Sequence, residues 1–257
     1  MVNSLIIKNI LDRIYFHPLF YIIVIISLLT ARFSNLLYFT IIILIHELGH
    51  SITGILLGLE LNKIIIYPYG GCSILEHDIN IPLYKELLVL ILGPITQIVF
   101  TIIIYLINLN IKDYFFYYSK LILIFNLLPI YPLDGGKLIN ILFSYLISFY
   151  SSIKYTIFIS YFIYISIFLI IITFKINNLF IYLLVISLGL DLYKEIKKSN
   201  LIYNKFLLER YLNIYNFKKY KIINSIHKMK RDYYHHVFIN NKLIPESTYL
   251  KKIFTFY

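Results

Sequence analysis

Tryptophan is absent, alanine occurs once, at Ala31, and cysteine once, at Cys72, in a chain of 257 residues. A single cysteine excludes a disulfide within the chain and a thiolate zinc cluster. Charge is scarce as well: Asp, Glu, Lys and Arg make up 14% of the sequence, against roughly 25% in an ordinary soluble domain. Hydrophobic residues make up 60%. A soluble fold of this length could bury a large core but would still need a polar skin, which most of this chain lacks. The bilayer is its expected solvent. The 26 tyrosines accompany abundant Ile, Asn, Lys and Phe, the bias of AT-rich codons, and carry little functional weight.

The net charge of +11 is unevenly placed. Residues 1 to 193 hold 10 Lys/Arg and 9 Asp/Glu, whereas residues 194 to 257 hold 14 and 4. A Lys/Arg cluster directly after the last apolar run reads as a cytoplasmic anchor beside anionic lipid rather than as a nucleic-acid surface. The chain therefore divides into a membrane domain, residues 1–193, and a basic cytoplasmic tail, residues 194–257.

A spanning helix needs about 20 mostly apolar residues, and six stretches qualify or nearly do. They run from about Ile14 to Ala31, Phe33 to Leu59, Leu87 to Ile111, an irregular stretch from Ser119 to Phe149, Tyr155 to Phe174, and Leu179 to Leu192. The fourth is broken by Pro129 and Pro132 and carries Asp134-Gly135-Gly136. No small-residue cleavage site follows the first run, so a signal peptide is not expected. Six spans place both termini on the side of the basic tail, the cytoplasm, with residues 61 to 82 on the same side and residues 112 to 118 outside. Between the second and third spans, Lys63 to Tyr67 and Cys72 to Glu76 read as a hairpin around Pro68-Tyr-Gly-Gly71. After the turn that begins at Lys175 and the sixth span, the tail shows a helical pattern at Ile222 to Arg231, an apolar run at Val237 to Ile239, a turn at Asn240-Asn241 and a helix after Pro245. The predicted fold class is an all-α polytopic membrane protein of six transmembrane helices with a small cytoplasmic α/β appendage.

Inside the second apolar run lies His46-Glu47-Leu48-Gly49-His50. Residues i and i+4 share a helix face, so His46 and His50 can present imidazole nitrogens to one Zn²⁺, with Glu47 beside them to take a proton from a metal-bound water. The five-residue pattern alone is weak. Its location strengthens it, because an ionisable residue at membrane depth costs at least about 2.5 kcal/mol on insertion scales and three stand together here.

A catalytic zinc usually takes three protein ligands and keeps one position for water. Before the tail, only Glu47, Asp134 and Asp191 are acids within or at the edge of a span, and Asp191 abuts Lys194 as an interfacial residue would. That leaves Asp134, whose proline and glycine neighbours let the backbone bend. Depth agrees: Glu47 and Asp134 each lie about 20 Å into spans running in the same direction, at 1.5 Å per residue.

Ile45-His46-Glu47-Leu48-Gly49-His50 together with Asn126-Leu-Leu-Pro129-Ile-Tyr-Pro132-Leu-Asp134-Gly135-Gly136 resembles the site-2 protease family of intramembrane zinc metalloproteases. The Pro68-Tyr-Gly-Gly71 loop, Leu92-Gly93-Pro94 and Phe206-Leu-Leu-Glu-Arg-Tyr211 resemble its sporulation branch, over about Leu5 to Tyr211. The resemblance implies one zinc per chain, held by His46, His50 and Asp134, with Glu47 as base and Asn126 accommodating the substrate backbone. It also implies a membrane-associated substrate, the inactive precursor of a sigma factor, and regulatory membrane proteins as partners. Members of the branch end in a CBS domain, and residues 194–257 have room for a partial, single CBS-like unit.

Two other readings compete with the intramembrane endopeptidase. A polytopic transporter with a His/Asp proton relay would show dispersed acids and paired broken helices in two similar halves. An inactive pseudoprotease scaffold would have no use for Glu47. In the protease, the strand near Cys72 to Glu76 could pair with an extended substrate.

Overall fold

The computed structural model describes residues 10–68, 70–107, 112–175, 179–239 and 242–254. Tyr69 of the expected hairpin loop, the last three residues of the turn that begins at Lys175, the Asn240-Asn241 turn and the stretch from Leu5 to residue 9 lie outside them. The chain divides into two units, residues 1–77 with 87–126, and residues 78–86 with 127–257.

In the first unit the expected opening span is a strand followed by a short helix. β1 (Ile14–Phe16) ends at His17-Pro18, and α1 (Pro18–Leu29) begins there, with proline in its first turn and His17 Nδ1 accepting the Leu19 N–H at 3.3 Å. Twelve residues reach only about 18 Å, well short of a hydrocarbon core of about 30 Å. α2 (Phe33–Leu56) follows. The expected hairpin is β2 (Glu60–Tyr67) and β3 (Gly70–Glu76), antiparallel with Ile64 opposite Ser73 and Tyr67 opposite Gly70. β1 joins it in parallel, Ile14 opposite Ile64, so the sheet order is β1-β2-β3 with β3 at one end. α3 (Leu83–Leu106) carries Pro94 within it, and α4 (Lys112–Asn126) completes the unit. Ile42 and Ile43 of α2, Leu61, Ile64 and Ile66 of β2, and Phe115 and Ile122 of α4 form the apolar core.

The second unit holds α5 (Asp134–Leu146), α6 (Phe149–Thr173) and α7 (Leu179–Leu212). α5 and α6 share a seam of small polar side chains: Asn140 Nδ2 donates to Ser152 Oγ and Thr156 Oγ1, each at 3.3 Å, and Ser144 and Ser152 hydroxyls meet at 2.8 Å. Small polar residues at such a seam let apolar helices approach and hydrogen-bond where lipid offers no partner. α7 runs unbroken past the 193/194 division expected for the tail. Beyond it, β4 (Lys219–Ile223), β5 (Tyr233–Ile239) and β6 (Lys242–Pro245) form a second sheet, and α8 (Glu246–Phe254) covers it. The tail is thus α/β, as expected, but Ile222 to Arg231 is no helix: Ile222 and Ile223 extend β4 beside β5, and Ser225 caps a single 3-10 turn at Ile226–Lys228. Phe149 and Ile153 of α6, Tyr203, Phe206 and Leu207 of α7, and Ile223, Met229, Val237 and Leu250 of the tail make one core. Arg210 is buried, and its Nε donates to Asn80 Oδ1 at 2.6 Å.

Three helices among the described residues are long and apolar enough to cross a membrane: Phe33–Leu56, Leu83–Leu106 and Phe149–Thr173. These correspond to three of the six expected spans; the other three are not found as spanning helices among the described residues. The fourth expected span breaks into α4 and α5 around the prolines, and the sixth is the start of the 34-residue α7. The described residues are mostly helical, with two three-stranded sheets among them in place of an all-α fold.

Candidate metal centre

α2 places His46, Glu47 and His50 on its buried side, with exposures of 1%, 5% and 5%. The two imidazoles meet edge to face, their Nε2 atoms 3.1 Å apart. Each ring is held by its other nitrogen. Gln97 of α3 gives its Nε2–H to the Ser119 carbonyl at 2.7 Å, a contact only a donor can make, so its Oε1 faces His46 Nδ1 at 2.8 Å and accepts. His50 Nδ1 lies 2.8 Å from the Val89 carbonyl, which can likewise only accept. Both Nδ1 atoms therefore carry the ring proton, and both Nε2 atoms present lone pairs to the same point. That is the tautomer a metal ligand needs, fixed by hydrogen bonds from behind the ring. The residues present fit a divalent cation with affinity for imidazole, and zinc is such a cation.

His50 packs so closely on α3 that a Cβ at Gly93 would fall inside its ring, which explains the glycine beside Pro94. Glu47 is oriented from the sheet: Ser73 Oγ of β3 lies 2.7 Å from Glu47 Oε2 and 3.0 Å from the Glu47 carbonyl oxygen, and Ser51 Oγ lies 3.0 Å from Ser73 Oγ. One carboxylate oxygen is thus engaged by a hydroxyl that fixes the orientation of the group.

Asp134 is the first residue of α5 in the second unit, buried, with Oδ1 3.7 Å from Lys137 Nζ one turn on. Asn126 is the last residue of α4 in the first unit and half-buried. Sequence reasoning missed Gln97 and Ser73. Gln97 left a usable trace, as an amide in a run from Leu87 to Ile111 free of charge, whereas Ser73 acquires its role only from strand register. Two histidines outside the helix motif are held elsewhere: His227 packs on Tyr150 and Tyr203, and His235 is buried beside Glu246.

Two imidazoles converging through Nε2, with a carboxylate next to them on a buried helix face, define a metal-dependent hydrolase of the membrane. Residues 34–113 match the family model described as peptidase family M50. Stage IV sporulation protein FB of Bacillus subtilis is 31% identical over 205 residues, covering 77% of this chain and 71% of that protein. Zinc metalloprotease MJ0392 of Methanocaldococcus jannaschii is 31% identical over 111 residues, 40% of this chain and 32% of that one. A solved site-2 protease from Methanocaldococcus jannaschii shares the fold with a TM-score of 0.57 at 22% identity, over 71% of this chain and 91% of its own. The chain belongs to peptidase family M50, the site-2 protease family: it is a zinc metalloendopeptidase embedded in the membrane. The family excludes the transporter reading.

Proposed function

We propose that the protein cleaves an inactive sigma-factor precursor within or next to the cell membrane during sporulation, through a centre made of His46, His50, Asp134, Glu47 and Asn126. The observation that carries the site is the pair of imidazoles whose Nδ1 protons are committed and whose Nε2 atoms converge at 3.1 Å. Asp134, a buried carboxylate at the start of α5, is the third ligand of this reading. Zinc bound there supplies Lewis acidity and an acidified water.

Glu47, hydrogen-bonded by Ser73 at one carboxylate oxygen, accepts the water proton and returns it to the leaving amine. Asn126 bonds the substrate backbone, and β3, the terminal strand of its sheet, pairs with the unwound substrate. The intact base argues against an inactive scaffold. Multi-pass insertion with the C-terminal tail in the cytoplasm follows from the basic excess of residues 194–257. Those residues are a basic cytoplasmic tail with a partial CBS-like unit that docks substrate or regulatory membrane proteins at the lipid surface. They take no nucleic acid, and residues 1–193 form the transmembrane metalloprotease domain.

Co-expression with a candidate precursor tests the reading. Wild type should yield a shorter product, and Glu47→Gln should abolish it while one zinc per chain is retained. Loss of zinc in Glu47→Gln would make Glu47 a ligand instead of a base, and cleavage undiminished in Asp134→Ala would remove Asp134 from the centre.

A further inference from the structure

The first turn of α3 is held by the loop that leads into β5. Asp232 accepts the Leu83 N–H with both carboxylate oxygens at 3.3 Å, capping the first residue of the helix. Asp232 does so at φ 55°, a conformation that aspartate tolerates better than most residues. Its neighbour Arg231, 3% exposed, grips Glu86 through both terminal nitrogens at 2.8 and 2.5 Å and donates to the Ile81 carbonyl at 3.2 Å. A fork of this kind fixes a carboxylate in both position and angle.

Further along the same helix, Val89 offers the carbonyl that fixes His50, and Gln97 offers the amide oxygen that fixes His46. Glu86 and Val89 are three residues apart, under one turn, and an α-helix is stiff along its axis. Val89 lies ahead of Pro94, so a shift or rotation of the first turn moves its carbonyl, and with it the direction of the His50 Nε2 lone pair.

We propose that Arg231 and Asp232 are positioning residues for the metal centre, acting through the first turns of α3 and the Val89 carbonyl on His50. The proposal rests on the assignment of His50 as a zinc ligand. It gives the tail a part in the chemistry of the membrane domain that does not require it to touch substrate.

The test uses the full chain in detergent, with Arg231→Ala and Asp232→Asn. Zinc affinity is read by competition with a chelator, the ligand field by the visible spectrum of the cobalt-substituted protein, and fold by circular dichroism. Loss of a partner behind a metal ligand lowers affinity about 10- to 100-fold. Both variants should therefore stay helical, bind zinc at least about tenfold more weakly and show an altered cobalt spectrum. Wild-type affinity and spectrum in a folded variant would overturn the proposal. Asp232→Asn keeps size and backbone preference and decides alone where Arg231→Ala does not fold. Should Asp232→Asn also fail to fold, the loop holds the fold at large and the proposal is overturned too. His46→Ala and His50→Ala in the same assay separate the two levels: if they leave zinc bound, the ligand assignment itself is wrong.

Discussion

Gln97 is the amino acid that fixes the tautomer of His46. Its amide is oriented by the Ser119 carbonyl at 2.7 Å and hydroxyl at 3.1 Å, and that orientation forces the proton of His46 onto Nδ1. Leucine at this position would fill similar space while leaving the imidazole free to rotate and change tautomer. Gln97→Leu should weaken zinc binding about 10- to 100-fold in chelator competition, with helix content unchanged. Glutamate there would accept the same proton but lose the bond to Ser119, so Gln97→Glu should recover part of the affinity. Ser73 acts on Glu47 in the same way from the opposite side, through a hydroxyl. His46, Glu47 and His50 were legible as a candidate site because they are near neighbours on one helix. Their supports were not, because Gln97 and Ser73 become neighbours only when α3 and β3 have packed on α2.

Helices were legible where a continuous apolar run coincided with a continuous backbone, as in α2, α3 and α6. They were misjudged where composition and geometry part. Ile14 to Ala31 is apolar throughout, yet its first three residues pair with β2 because His17-Pro18 punctuates the run and starts the helix late. Ile222 to Arg231 shows helical spacing, yet pairing with β5 claims Ile222 and Ile223, a non-local choice that no local pattern reveals. The fourth run was read correctly as broken, but the two glycines after Asp134 serve a tighter purpose than bending. A Cβ at Gly135 would run into the backbone carbonyl oxygens of Leu127 and Leu128, and one at Gly136 into the backbone of Ile130 and Tyr131. The loop before α5 therefore wraps onto the first turn of the helix that begins with Asp134. Backbone cannot yield as a side-chain end can, so Gly135→Ala should displace that turn. The expected cost is about 1–3 kcal/mol of stability, measured as a lower thermal midpoint in detergent, with a matching loss of cleavage.

The tail, read as a basic anchor, contains a buried polar network that ties it to α7 and to residues 78–86. Glu209 Oε2 accepts the Ile79 N–H at 2.7 Å, and Arg210 reaches Asn80, the carbonyls of Lys230 and Tyr233, and Glu246 at 2.9 Å. At its centre His235, fully buried, accepts the Lys230 N–H on Nε2 at 3.1 Å and donates Nδ1–H to Glu246 Oε2 at 3.0 Å. A second ring proton would point at an N–H donor and bring a cation among Arg210, Lys221 and Lys230. Burial above all, and then the Arg210 charge, outweigh the bond to Glu246 and hold the His235 pKa below its ordinary value. For Glu246, burial works upward, but the His235 hydrogen bond and the Arg210 charge prevail and hold it below the usual carboxylate range. Both groups bind fewer protons folded than unfolded, so stability rises with pH. The contribution of His235 is complete above about pH 6.5 and is lost as the pH falls toward its depressed folded pKa; that of Glu246 is lost in turn below about pH 4.3. Amide exchange at Val237 and Phe206, one on β5 and one on α7, should accelerate relative to the intrinsic rate as the pH is lowered from about 7.5 to about 5.5, while amides of α2 keep their protection. His235→Gln can accept the Lys230 N–H or donate to Glu246 without a titrating ring, and should flatten that dependence over the same interval. Protection at Val237 that is constant across the interval in the wild-type chain would show that His235 does not control the cohesion of the tail.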